Sequence, residues 1–280
     1  MKEKRITKTI IEKYCQHLKD DEKSSATVAK YMRDVCYFAA YAKDRIIDKS
    51  LTLAYKAELT EKYTVSSANS MLAAMNSFLR FAGWQEFCVK QYRVQKKVYC
   101  SIEKELGKDE YIRLIQTAES KGNDRLSLVI QCICATGIRV SELRYITVEA
   151  LKSGRADVSC KGKTRTVFLV GRLRKKLLMY VKKENIASGE IFVTKTGKTM
   201  NRSNIWREMK ALCDMANVLP DKVFPHNLRH LFAKTFYTLE KDIAKLADIL
   251  GHANINTTRI YIMTTGAEHI QKLENMQLVT

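Results

Sequence analysis

Apolar residues in the first ninety positions recur at helical steps. In "SSATVAKYMRDVCYFAAYAKD", Val28, Tyr31, Val35, Phe38 and Tyr41 fall three or four apart behind serines able to cap. "SANSMLAAMNSFLRFAGW" repeats the pattern through Met71, Leu72, Met75, Phe78 and Leu79, with Gly83 as a stop. The spacing predicts a helical domain over 1–90. Periodicity then lapses in the basic stretch "CVKQYRVQKKVYCSIEK", which reads as an interdomain linker over 91–104. A second domain opens near "GKDEYIRLIQTAES" and fills 105–280. Its first apolar helix stops at Gly137. Alternation on both sides of "CKGKTR", within "ADVSCKGKTRTVFLVG", predicts a β-hairpin. Pro225 then opens one helix, and "KDIAKLADIL" forms another, with Ile243, Leu246, Ala247 and Leu250 as its stripe and Gly251 as its stop. The expected fold is mainly α, with a small β-sheet hairpin in the second domain.

Composition narrows the class. The chain has 280 residues, enough for two ordinary domains, and 46% are hydrophobic, which excludes a disordered basic tail. Two prolines and eleven glycines suit helices better than many short strands. The eight cysteines are scattered without a C-x-x-C pair, so reduced structural thiols in a cytoplasmic protein are expected, with no metal. "MKEKRITKTIIEKY" carries no apolar leader and no stretch reaches membrane-spanning length. There is no G-x-x-x-x-G-K-[ST] loop, so nucleotide triphosphate chemistry has no foothold and no cofactor is expected.

Charge changes the picture most. Lys and Arg number 49 against 30 Asp and Glu, a net charge of +19. Residues 1–100 carry 19 basic and 11 acidic side chains, and residues 101–280 carry 30 and 19. Two basic domains joined by a basic linker suit a clamp on double-stranded DNA, held largely by phosphate contacts.

The candidate chemistry lies in four stretches of the second domain. Arg139 follows Gly137 at a corner between helices; Ser141 is placed to cap the second of them and Glu142 to orient the guanidinium. Alone, that is better read as a structural Arg–Glu pair. Lys161 and Lys163 sit at the hairpin tip, where lysines also serve merely to blunt an edge. His226, Arg229 and His230 share one helix face by the i, i+3, i+4 rule. His252 follows the Gly251 stop, and Asn256 is placed to cap the helix that carries Tyr261. Together these groups suit phosphoryl transfer. Arginine forks match the non-bridging oxygens, tyrosine is a nucleophile, lysine protonates the leaving oxygen, and histidines position and move protons.

The stretches "ATGIRVSEL", "CKGKTRTVFL", "PHNLRHLFA" and "LGHANINTTRIY", in this order, resemble the tyrosine recombinases of the λ-integrase, Xer and Cre kind. The helical N-terminal segment is similar to their core-binding domain. The resemblance implies a two-domain, C-shaped DNA clamp. It implies Arg139 and Arg229 as the phosphate-binding pair, Tyr261 as nucleophile, Lys161 as general acid, His226 in proton transfer or orientation, His252 as a donor to the scissile phosphate, and Glu142 as support for Arg139. It further implies a 3′-phosphotyrosine intermediate, a Holliday junction, and a homotetramer on two DNA sites working without metal or cofactor. The hairpin lacks a proline usual in its second strand, which leaves Lys161 against Lys163 open. Leu231 stands where a small hydroxyl residue often follows the HxxRH pattern. A tail after Tyr261, "IMTTGAEHIQKLENMQLVT", carries a narrow apolar stripe that docks either on a neighbouring protomer or on its own domain. Integration or excision of a mobile element and Xer-type resolution both remain open, as do accessory DNA-bending proteins. A type IB topoisomerase-like strand transferase and a non-catalytic DNA-binding regulator are the rival readings.

Overall fold

The computed structural model describes residues 4–94, 105–160, 163–194, 196–262 and 274–276. The chain forms two compact units, Met1–Lys96 and Lys97–Thr280. Lys161, expected as the general acid, and most of the expected tail, 263–273 and 277–280, lie outside the described residues.

The first unit contains α1 (Lys8–Asp20), α2 (Ser25–Ala42), α3 (Lys49–Lys62) and α4 (Val65–Phe81). Each starts in the same way. The side chains of Thr7, Ser24, Asp48 and Thr64 accept from the backbone N–H three residues on, satisfying a donor that the helix cannot. The core is aromatic and aliphatic, with Tyr14, Val35, Phe38, Tyr55, Leu72, Met75 and Phe78 fully buried. Tyr31 and Tyr41 pack only at its margin.

The chain beyond Gly83 stays with this unit further than periodicity suggests. The Asn76 amide donates to the Val89 carbonyl at 2.8 Å and accepts from its N–H at 3.0 Å. Asn69, two helical turns earlier on α4, does the same to Tyr92, at 2.8 Å in both directions. Two side-chain amides thus stand in for a partner strand. This extended stretch reads as linker in the sequence because no apolar repeat marks it.

The second unit is built on α6 (Asp124–Thr136), which packs against α5 (Lys108–Ser120) and later helices. Its Leu126, Val129, Ile130 and Ile133 are fully buried. After a 3₁₀ turn at Val140–Tyr145 come α7 (Val148–Ser153) and the antiparallel hairpin of β1 (Arg155–Cys160) and β2 (Lys163–Phe168), paired from Arg155–Phe168 to Cys160–Lys163. Ala156, Val158, Val167 and Leu169 turn inward. The chain continues through α8 (Gly171–Lys183), α9 (Arg202–Lys210), α10 (Cys213–Ala216), α11 (Pro225–Glu240), α12 (Ile243–Leu250) and α13 (Ile255–Arg259), and ends this run in a 3₁₀ turn at Ile260–Ile262. Among the described residues the fold is mainly helical with one small hairpin. No helix among them is long and apolar enough to cross a membrane.

Two local expectations need correction. The segment after Gly137 is not an α-helix capped by Ser141. It is a 3₁₀ turn whose first free N–H, that of Arg139, is taken by the Glu142 carboxylate at 2.9 Å. A carboxylate reaching back three residues satisfies that donor better than a hydroxyl inside the turn. The cap before Tyr261 is Asn254, whose side chain accepts from the Asn256 N–H at 2.8 Å. The helix therefore starts earlier than expected.

Candidate active site

The site is assembled where helices end. Gly137 closes α6 with φ +63°, and a Cβ there would stand 2.5 Å from Phe232 and 2.9 Å from Leu250. Only glycine permits both the left-handed turn and this approach. The approach brings the carbonyl ends of α6 and α12 to one guanidinium. Arg229, on α11 and only 2% exposed, donates Nη1 to the Gly137 carbonyl and Nη2 to the Leu250 carbonyl at 2.7 Å. Helix C-termini carry partial negative charge, which offsets the cost of burying the cation. Burial first, and then neighbouring Arg139, bring the Arg229 pKa down to about 10, so it stays charged at neutral pH.

Glu142 organises the other two arginines. It is 2% exposed, and Arg139 Nη1 reaches its Oε1 at 2.9 Å. Arg165 grips both oxygens, Nη1 to Oε1 at 3.0 Å and Nη2 to Oε2 at 2.8 Å, and sends Nε to the Ile249 carbonyl at 3.1 Å. Burial would raise the carboxyl pKa, but the Arg165 and Arg139 hydrogen bonds prevail and bring it to about 2. Arg165 is a site residue that the sequence motifs do not single out. A signal is nonetheless present: on β2 it shares the inward face with Val167 and Leu169, where an arginine requires a buried acceptor. Gly251 makes room for it, since a Cβ there would lie 2.7 Å from Arg165 Cδ.

The histidines surround Tyr261, which is 3% exposed in a small cluster with Ala233, Leu246 and Leu250. Its hydroxyl lies 3.4 Å from His226 Nε2. The His252 ring stacks on it at 5.7 Å, and His230 meets it edge-on at 5.3 Å while bonding the Ile260 backbone. His252 Nε2 lies 2.9 Å from Arg229 Nη2, and its Nδ1 lies 2.8 Å from Thr258 Oγ1. An arginine only donates, so toward Arg229 the Nε2 atom accepts. Burial, followed by Arg229, Arg139 and Arg165, lowers the His252 pKa to about 4; burial, and then Arg229, lowers that of His226.

The structure thus brings together Arg139, Glu142, Arg229, His252, His226, His230 and Tyr261, and adds Arg165 and Thr258. Three guanidiniums against one carboxylate leave an excess of positive charge beside a tyrosine hydroxyl, suited to an anionic phosphoryl group. Among the described residues no group of His, Cys, Asp and Glu is placed to hold a metal ion.

The histidines set a pH dependence of stability. Above the ordinary value of 6.5, His252 is neutral both folded and unfolded. As pH falls below it, the unfolded chain takes up a proton that the folded site refuses until about 4. Stability should therefore drop progressively from pH 6.5 to 4, before the Glu142 contribution is lost. Thermal melts across that range should show the fall, and His252→Gln should flatten part of it.

Comparison with known proteins follows the same division of the chain. Residues 104–268 match the phage integrase family, and residues 11–86 match the phage integrase N-terminal SAM-like domain. The chain belongs to the phage integrase family. It is 27% identical to tyrosine recombinase XerA of Pyrococcus furiosus over 282 residues, covering 97% of this chain and 95% of that one. It is 28% identical to tyrosine recombinase XerD of Oceanobacillus iheyensis over 272 residues, covering 87% and 89%. Its fold is similar to that of a λ integrase tetramer bound to a Holliday junction (TM-score 0.74, 18% identity, covering 93% of this chain and 78% of that one). It is also similar to that of XerH recombinase bound to its difH substrate before cleavage (TM-score 0.69, 19% identity, covering 95% and 84%).

Proposed function

We propose that this chain is a site-specific DNA recombinase that cuts and rejoins duplex DNA through Tyr261. Family membership and the tyrosine recombinase names of its relatives support the reaction class. The observation that carries the assignment of residues is the Tyr261 hydroxyl, 3.4 Å from His226 and bonded to the Arg229 guanidinium. In this reading Arg139 and Arg229 hold the non-bridging oxygens of the scissile phosphate, and their charge acts most strongly as the phosphorane develops. The Tyr261 oxygen forms the new bond to phosphorus as its proton passes to His226. The bond to the 5′ oxygen breaks, Lys161 protonates that oxygen, and a 3′-phosphotyrosine remains. Attack by the 5′-hydroxyl of a partner strand reverses the step and exchanges strands. No metal or cofactor takes part. Duplex DNA is the partner, a homotetramer on two sites the working assembly, and the cytoplasm the compartment. Both relatives cited are of Xer type, which favours resolution over integration of a mobile element.

The test is to denature cells expressing the protein, recover DNA that stays attached to it, and build a nicked duplex on the recovered sequence. Wild type should accumulate as a covalent adduct on a denaturing gel, with or without chelator. No adduct would leave a DNA-binding regulator; a chelator-sensitive adduct would rule out the metal-free route. On the same duplex a 5′-bridging phosphorothioate, whose leaving group needs no proton, should restore cleavage to Lys161→Ala. Rescue of Lys163→Ala instead would assign the general acid to the other lysine.

A further inference from the structure

His252 faces two requirements that conflict. Toward Arg229 Nη2, 2.9 Å away, its Nε2 accepts, which places the proton on Nδ1. To donate to a phosphate oxygen, the same Nε2 must carry the proton, and Nδ1 must then accept one. The group on Nδ1 decides whether both states are available. That group is the Thr258 hydroxyl, 2.8 Å away and fully buried on α13. Among the described residues His252 is its hydrogen-bond partner. A hydroxyl is one of the few side-chain groups that both accepts and donates by rotating about a single bond. A carbonyl or carboxylate would hold the Nδ1–H form, and an apolar group would hold neither.

We propose that Thr258 is a positioning residue that lets His252 change from an Nε2 acceptor toward Arg229 to an Nε2 donor on the phosphate. This rests on the strand-transfer reading above and deepens it. In the change, Nδ1 gives up its proton to water and Nε2 takes one from water, so the ring stays neutral. The Thr258 O–H turns from acceptor to donor. Arg229 Nη2, released from Nε2, is then free for the phosphate. Burial among three guanidiniums, which disfavours the doubly protonated ring, makes the choice of neutral tautomer the remaining variable. Thr258 also lies three residues before Tyr261. The orientation of His252 is therefore set by the segment that carries the nucleophile, and displacement of that segment would release the ring.

Two measurements test this. Nitrogen-15 spectra of the histidines in the free wild-type protein should show His252 as the Nδ1–H tautomer; an Nε2–H form would overturn the proposal whether or not the protein cleaves DNA. Cleavage of the nicked duplex then reads the role. Thr258→Ser should stay within about threefold of wild type. Thr258→Val, of equal size without the hydroxyl, should lose roughly tenfold or more in rate at unchanged DNA affinity, since a wrong histidine tautomer is costly. In a His252→Ala background the same substitution should cost nothing further. An equal loss there, or a Thr258→Ser variant as slow as Thr258→Val, would show a packing role and refute the proposal. Absence of any adduct from wild type would instead refute the strand-transfer reading, while the spectra still decide the tautomer.

Discussion

Tyr261→Phe should bind its DNA with unchanged affinity and form no covalent adduct. The substitution removes one oxygen and keeps the ring that packs with Leu246, Leu250 and the histidines. That oxygen lies 3.4 Å from His226 and also bonds the buried Arg229 guanidinium, a charge-assisted contact worth about 1.5–3 kcal/mol. The variant should therefore stay folded and melt a few degrees lower than wild type. Adduct formation has no such tolerance, because the oxygen that bonds to phosphorus is absent. On a nicked duplex the wild type should be trapped and the variant should leave the DNA free at every time point. A trapped variant would place the nucleophile elsewhere.

Removal of either arginine proposed to bind the phosphate, Arg139 or Arg229, should cost about a hundred- to thousandfold in cleavage, roughly 3–4 kcal/mol of transition-state stabilisation for one preorganised donor. The structure separates the two residues in what else they do. The Arg139 side chain is 35% exposed, and Glu142 keeps both Arg165 hydrogen bonds without it. Arg139→Ala should therefore cleave poorly while melting near wild type. Arg229 is also a strut. Its removal strips donors from the buried carbonyls of Gly137 and Leu250, at about 1–3 kcal/mol for each unsatisfied group. Arg229→Ala should accordingly lose both rate and several degrees of melting temperature. Arg229→Lys keeps the charge but cannot fork to both carbonyls and His252, so its cleavage should stay low. Rate and stability measured together for the three variants check this, and an Arg139→Ala enzyme cleaving at wild-type rate would remove it from the site.

Periodicity is enough for the helices because each buries one stripe, and the steps of three and four that mark the stripe are written in consecutive residues. It fails where the backbone is held by polar side chains. Asn69 and Asn76 bind the chain at Val89 and Tyr92 with amide hydrogen bonds, and no apolar pattern accompanies them. Glycines are legible for the same local reason: Gly137 and Gly251 sit just past apolar runs, and both adopt positive φ. Capping is legible only in part. Ser141 and Asn256 are of the right residue type for a cap, but Glu142 and Asn254 have the right reach.

In the site itself, the sequence by itself determined what lies within one turn: His226, Arg229 and His230 on one face, and Glu142 three residues from Arg139. Tertiary structure decided everything that depends on distant chain segments meeting. Gly137 and Arg229 are 92 residues apart, and Arg165 and Glu142 are 23 apart. Local spacing cannot specify such pairings, because they follow from how α6, α11, α12 and the hairpin pack. The same packing put Arg229 Nη2 2.9 Å from His252 Nε2, a contact held by neither residue alone. A chain can set out its charged groups in order, but which of them share a proton, a carbonyl or a carboxylate is settled only when the low-dielectric core forces each buried polar atom to find a partner.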